Sequence, residues 1–283
     1  LPRQYKAPAL LAALTVVAVS ALGAAPPASA SSGQLAMFQA GPSLLSDPAR
    51  TLATLRALGV GVVRFSVYWS RIAPDPLSRT RPPSFDATDP AAYPADDWAP
   101  YDQVVEDAHA AGIRIDFLLA GQAPIWATGP GPPGGGAYPE WMPSATEFGR
   151  FVQALGTRYG GRFRPCILCA PLPAVQMWEV WNEPNFGEDL APQAVNGSKL
   201  SVAPRMYRNL LDAAWSALGQ TGHSHDTILF GSLSPRGLQA PVTRSWPDGL
   251  PGDFSTTKPM QFLRTLYCVD DSYLRLRGTA ANQ

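Results

Sequence analysis

The stretch Trp178-Glu179-Val180-Trp181-Asn182-Glu183-Pro184-Asn185 places a carboxylate where an apolar strand must stop. Pro184 has no amide N–H and cannot continue a ladder, so the strand ends there and Glu183 stands at the sheet rim. A rim carboxyl group beside tryptophans suits proton transfer to a glycosidic oxygen, with sugar rings stacked on indole faces. Such hydrolysis needs two carboxyl groups flanking the anomeric carbon, about 5–5.5 Å apart when configuration is retained. A proton donor must also hold its proton near neutral pH, which burial or a neighbouring carboxylate arranges. The plainer reading makes Glu183 a surface residue that ends a strand after a buried tryptophan pair.

The Asn182-Glu183 pair at the end of such a strand resembles the retaining (β/α)8 glycoside hydrolases of clan A, cellulase-like or β-xylosidase-like. The resemblance implies that Glu183 is the general acid/base and that Asn182 binds the sugar hydroxyl next to the anomeric centre. It also implies that Arg64, within Val63-Arg64-Phe65, holds the nucleophile ionised. An arginine inside an apolar strand must find an anion, and a core ion pair with Glu179 serves that need equally well. Glu179 lies four residues before Glu183, so alternation aims it to the same side, deeper in the barrel, as a partner for Arg64 or Arg114. Trp69, Trp126 and Trp141 fall in or near strand-to-helix loops, where they bind sugars or pack the loops. Where the family often has a His, this chain has Gln122-Ala123-Pro124-Ile125-Trp126. That departure leans toward the β-xylosidase-like or exopolysaccharide-hydrolase-like branches. The family's nucleophile is a Glu ending the seventh strand, which is not found here, and no residue is assigned to it.

The elements that must position these residues alternate. Strands are predicted at 35–38, 60–67, 113–119, the Trp-Asn-Glu segment and 228–233. Helices are predicted from an Asp47 cap through Leu58, around Val104–Ala108, around Phe148–Leu155, over Met206–Leu218, and from Phe262 through Val269. Strands alternating with helices and lacking hairpin signals imply a parallel α/β sheet. The helix-to-strand turns at Gly59 and Gly112 are tight, whereas 73–100, 122–143, 185–203 and 234–259 are long and rich in Pro and Gly. Long loops at one end of a parallel sheet form its binding surface. Five βα units use the residues after position 30, so the expected fold is an incomplete (β/α)8 TIM barrel, cut before the nucleophile strand.

Composition narrows the rest. Hydrophobic residues make up 46% of the 283 and charged residues 16%, a globular balance. Arg3 and Lys6 are the only charged residues of the first thirty, leaving 20 basic against 22 acidic groups beyond them. No basic stripe exists to collect phosphates, which argues against nucleic acid. Arg3 and Lys6 precede an apolar run from Ala9 to Leu22, and Ala28-Ser29-Ala30 supplies a cleavage site. Residues 1–30 therefore read as a secretory signal peptide and 31–283 as the catalytic domain, secreted and without a stable membrane anchor.

Export places Cys166, Cys169 and Cys268 in an oxidising space. Cys166 and Cys169 form a local disulfide or two buried thiols in a connection, and no second pair exists to complete a zinc site. No metal site and no cofactor are expected, since neither a Walker nor a dinucleotide fingerprint occurs. Asn196-Gly197-Ser198 matches a glycosylation sequon but carries no weight alone. Two further readings compete with the hydrolase: a non-catalytic, carbohydrate-binding degenerate barrel, and an extracellular redox protein built on the Cys pair. The second lacks the helix such a Cys needs, because Pro171 and Pro173 follow.

Overall fold

The computed structural model describes residues 33–132, 135–194, 201–237 and 254–278. The predicted signal segment 1–30 and the sequon at Asn196 lie outside the described residues. Within the unit Ala36–Gln283, strands alternate with helices: β1 (Met37–Gln39), α1 (Pro48–Ala57), β2 (Val62–Tyr68), α2 (Ala95–Ala111), β3 (Arg114–Ala120), α3 (Ala145–Arg158), β4 (Met177–Val180), α4 (Ala203–Gln220), β5 (Thr227–Phe230) and α5 (Pro259–Leu266). The strands form one parallel sheet in the order β1-β2-β3-β4-β5. Spatial order equals chain order, the winding of a (β/α) barrel, whereas doubly wound sheets reverse direction part-way.

Local sequence explains the boundaries. Asp47 caps α1 by accepting the Arg50 N–H, and Pro48 takes the first helical position, where no amide bond is lost. Gly112 ends α2 with φ 65, a left-handed value that glycine adopts without steric cost. Ser144 caps α3 by accepting the Glu147 N–H. The start of α2 differs from expectation: it begins at Ala95 and runs through Pro100. Pro100 forfeits one helical bond, and buried Trp98 and Tyr101 on either side hold that turn by packing. At the other end of the chain α5 stops at Leu266, short of Val269, because Cys268 turns to φ 58.

Alternation divides each strand between two faces. Val63, Phe65 and Val67 of β2, Ile115, Phe117 and Leu119 of β3, and Trp178 and Val180 of β4 join the large core shared with the helices. Their neighbours Val62, Leu118, Ala120 and Met177 are also buried, yet stand outside that cluster on the other face. That inner face carries Arg64, Asp116 and Glu179. Strands lie about 4.8 Å apart, so in a flat sheet β2 and the end of β5 would stand about 14 Å apart, beyond the reach of an arginine and a serine side chain. Arg64 Nη2 nevertheless donates to Ser232 Oγ at 2.7 Å. The sheet therefore curls, with Arg64 on its concave side.

Cys166 and Cys169 form a disulfide in the connection entering β4, the amino-terminal end of the sheet, with Ile167 and Leu168 fully exposed between them. The buried-thiol alternative is thereby corrected. Cys268 is a half-buried free thiol near the Arg208 guanidinium. Among the described residues no helix is long and apolar enough to cross a membrane.

Candidate active site

Beyond Val180 the chain leaves the sheet through backbone conformations that only a fixed setting maintains. Trp181 and Glu183 have φ of 63 and 38, and Ser232, at the matching point after β5, has φ 38. Left-handed values cost a non-glycine residue about 1–3 kcal/mol and cluster at functional sites. The supports are specific. Trp181 N–H donates to Leu119 O at 3.0 Å, and Glu183 N–H donates to Ser232 O at 3.1 Å, tying the ends of β3, β4 and β5 together. The Trp181 indole lies over Gly121, where an added Cβ would meet a ring carbon at 2.5 Å. Only glycine fits there.

Arg64 organises the inner face. Its Nε and Nη2 bind the two Glu179 oxygens at 2.5 and 3.1 Å, and Nη2 also reaches Asn182 Oδ1 at 3.5 Å. Asn182 Nδ2 donates to Asp189 Oδ2 at 3.1 Å. The structure thus brings Arg64, Glu179, Asn182, Asp189 and Ser232 into one network at the carboxyl ends of the strands, one residue before Glu183. The half-buried Glu183 carboxylate makes no hydrogen bond or ion pair with another described residue, while its backbone carbonyl accepts from Phe186 N–H at 2.7 Å.

Three carboxyl groups here hold protons above the ordinary range. Burial pushes Asp189 up to about 7; the Asn182 hydrogen bond opposes this, and the charges of Glu183, Glu188 and Glu140 add to it. Burial raises Asp116 to about 6, helped by Glu179 and opposed by Arg64. Asp116 is wholly buried, faces Arg64 across the β2–β3 register, and among the described residues has no hydrogen-bond partner for either oxygen. Burial, with the Glu188 charge, also raises Glu140. Among the described residues no group of three His, Cys, Asp or Glu side chains could hold a metal ion.

Of the two readings open for the rim tryptophans, sugar binding or loop packing, Trp69 takes the second. Trp69 is fully buried, its ring stacked on Phe151 and packed against Phe148, so it offers no face to a sugar. Trp178 and Trp181 are likewise completely buried, the former bonded to Asp226 and the latter to the Asp189 carbonyl. Trp126 is half-buried, donates to Pro74 O at 2.9 Å, and packs against Trp69, Phe85 and the Arg81 guanidinium. It braces the loop after β2. For Trp69, Trp178 and Trp181 the hydrophobic gain of burying an indole wins over display.

Sequence reasoning missed the residues that fix the rim loops. Asn185, fully buried, donates to Ser234 O at 3.1 Å and Thr257 O at 2.7 Å and accepts from Ser234 N–H at 2.8 Å. Gln193 donates to Pro184 O and Leu190 O at 2.9 and 2.8 Å. Asp116 had left a signal, an acid at inward parity in the run Ile-Asp-Phe-Leu-Leu. Asp189 left none.

No protein-family model and no curated protein matches the chain. Among solved structures it is similar to a β-glucosidase from Trichoderma harzianum, at 20% identity and TM-score 0.41 over 65% of this chain and 34% of that one. It is also similar to a family 39 glycoside hydrolase from the gut symbiont Bacteroides cellulosilyticus, at 18% identity and TM-score 0.41 over 70% and 31%. A family 1 β-glucosidase from Thermotoga maritima follows at 16% identity and TM-score 0.40 over 65% and 37%. The chain spans about a third of the length of these structures.

Proposed function

We propose that this protein is a secreted glycoside hydrolase that cleaves β-linked oligo- or polysaccharides with retention of configuration, using Glu183 as general acid/base. The observation that carries the reading is the carboxylate of Glu183, unpaired among described residues, on a constrained strand end beside an Asn182 amide held from two sides. With no described residue bonded to it, the carboxyl group is free to meet a glycosidic oxygen. In the first step Glu183 gives its proton to the departing oxygen while a second carboxylate attacks the anomeric carbon. In the second step Glu183 takes a proton from the water that releases the sugar. Asn182 binds the neighbouring hydroxyl through both steps.

None of the acids in this network suits the nucleophile. Glu179 is locked to Arg64, Asp116 is wholly buried, and Asp189 belongs to the same loop as Glu183. A retaining nucleophile must approach from the opposite side of the ring. We place it outside the described residues, on a strand beyond β5. Secretion is part of the proposal, supported by the disulfide Cys166–Cys169, which suits an oxidising compartment. The second reading, a carbohydrate-binding barrel without catalysis, is favoured by the lack of a second suitable carboxylate in the network described here.

The test is the fate of a β-glycoside panel incubated with the full-length protein, including the strand expected to carry the nucleophile, with product configuration followed by NMR. The hydrolase reading expects β-configured product first. Sugar binding without turnover selects the second reading, and α-configured product excludes the retaining mechanism.

A further inference from the structure

An asparagine amide has two ends of almost equal size, and only one of them donates hydrogen bonds. If Asn182 is to donate to a substrate hydroxyl, something must decide which end faces the sugar. Arg64 does so weakly, because its Nη2 stands 3.5 Å from Asn182 Oδ1, at the limit of a hydrogen bond, and already serves Glu179 and Ser232. Asp189 does so more firmly. Its Oδ2 accepts from Asn182 Nδ2 at 3.1 Å, and once Asp189 is ionised a carboxylate oxygen there disfavours the flipped amide, which would set two oxygens face to face.

Asp189 is itself held. Its backbone carbonyl accepts from Trp181 Nε1 at 3.1 Å, and its N–H donates to Phe186 O at 3.0 Å. Gln193 clamps the same loop through Pro184 O and Leu190 O, and accepts in turn from Thr257 Oγ1 at 2.9 Å. The aspartate therefore reaches the two residues before Glu183, Trp181 through its backbone and Asn182 through its side chain. One of the two Nδ2 hydrogens is used by Asp189, and among the described residues none accepts the other.

We infer that Asp189 is a positioning residue that fixes the Asn182 amide with its nitrogen end ready to donate to the sugar hydroxyl beside the anomeric carbon. The inference rests on the glycosidase reading above. Asp189 touches no reacting atom; it acts through Asn182.

The experiment compares Asp189→Ala and Asp189→Asn with the parent protein on two aryl β-glycosides, one bearing that hydroxyl and one with hydrogen in its place. A contact that strengthens in the transition state is worth about 10–100-fold in kcat/KM. Asp189→Ala should lose about that much on the hydroxylated glycoside and less than about twofold on the deoxy one, whose rate certifies an intact fold. Asp189→Asn, which keeps one oxygen able to accept from Nδ2, should recover part of the loss. If Asp189→Ala does not fold, the same split, smaller in Asp189→Asn, decides the matter. Equal losses on both glycosides, or none on either, overturn the inference while leaving the glycosidase reading intact. Absence of Glu183-dependent turnover in the full-length protein, with the nucleophile strand present, overturns both.

Discussion

Arg64 of β2 grips both carboxylate oxygens of Glu179 on β4, at 2.5 and 3.1 Å, four residues before Glu183 in the chain. Both side chains are about nine-tenths buried. Breaking such a pair strands a charge in low dielectric and costs about 3–5 kcal/mol, whereas replacing both partners by apolar groups is often close to neutral. Arg64→Met should therefore destabilise the protein by about that amount in urea unfolding, and Arg64→Met with Glu179→Leu should restore much of it. Equal losses in the single and double variants would mean that Arg64 matters mainly through Asn182 and Ser232.

The buried acids give stability a sign. Asp116 titrates near 6 in the folded chain, above the ordinary aspartate value of 3.8. Its contribution is fully present below about pH 4, where both states hold the proton, and is lost as pH rises toward 6. Asp116→Asn, which cannot ionise, should raise the Tm at pH 8 and leave it nearly unchanged at pH 4. A Tm gain independent of pH would point to packing instead.

Gly121 lies beneath the Trp181 indole, and a Cβ there would sit 2.5 Å from the ring. Gly121→Ala should force the indole aside, at about 1–3 kcal/mol, and disturb the Glu183 backbone two residues on. A shift in tryptophan fluorescence together with reduced turnover is expected. An unchanged spectrum would show that the loop yields instead.

The disulfide Cys166–Cys169 closes a very short loop at the end of the sheet opposite Glu183. Loop-closure entropy for so few residues is worth about 2 kcal/mol at most. Cys166→Ser with Cys169→Ser should leave glycoside turnover unchanged and lower stability by no more than that. Thiol–disulfide exchange activity lost in this variant would revive the extracellular redox reading.

Much of this arrangement was legible in the sequence. Gly112 marked the left-handed exit of α2, whereas the strand expected to run to Pro184 stops at Val180, because Trp181 already turns to φ 63. Period-two alternation aimed Arg64 and Glu179 to one face, where they pair. Two readings stayed open for the tryptophans because their spacing says only that a large ring sits near a rim; whether Trp69 faces solvent or Phe151 depends on packing between distant elements. Asp189 and Asn185 were invisible for the same reason. Their partners are backbone carbonyls and side chains brought together by loop folding, and local sequence carries no period for that.

The most direct measurement is the leaving-group dependence of Glu183→Gln. Only glycosides with poor leaving groups need a proton on the departing oxygen. The account predicts that the variant loses hydrolysis of alkyl β-glycosides by about 10²–10⁴-fold while largely keeping the first step on activated aryl glycosides. Equal loss on both classes, or full activity on both, would contradict the assignment of Glu183 as the acid/base.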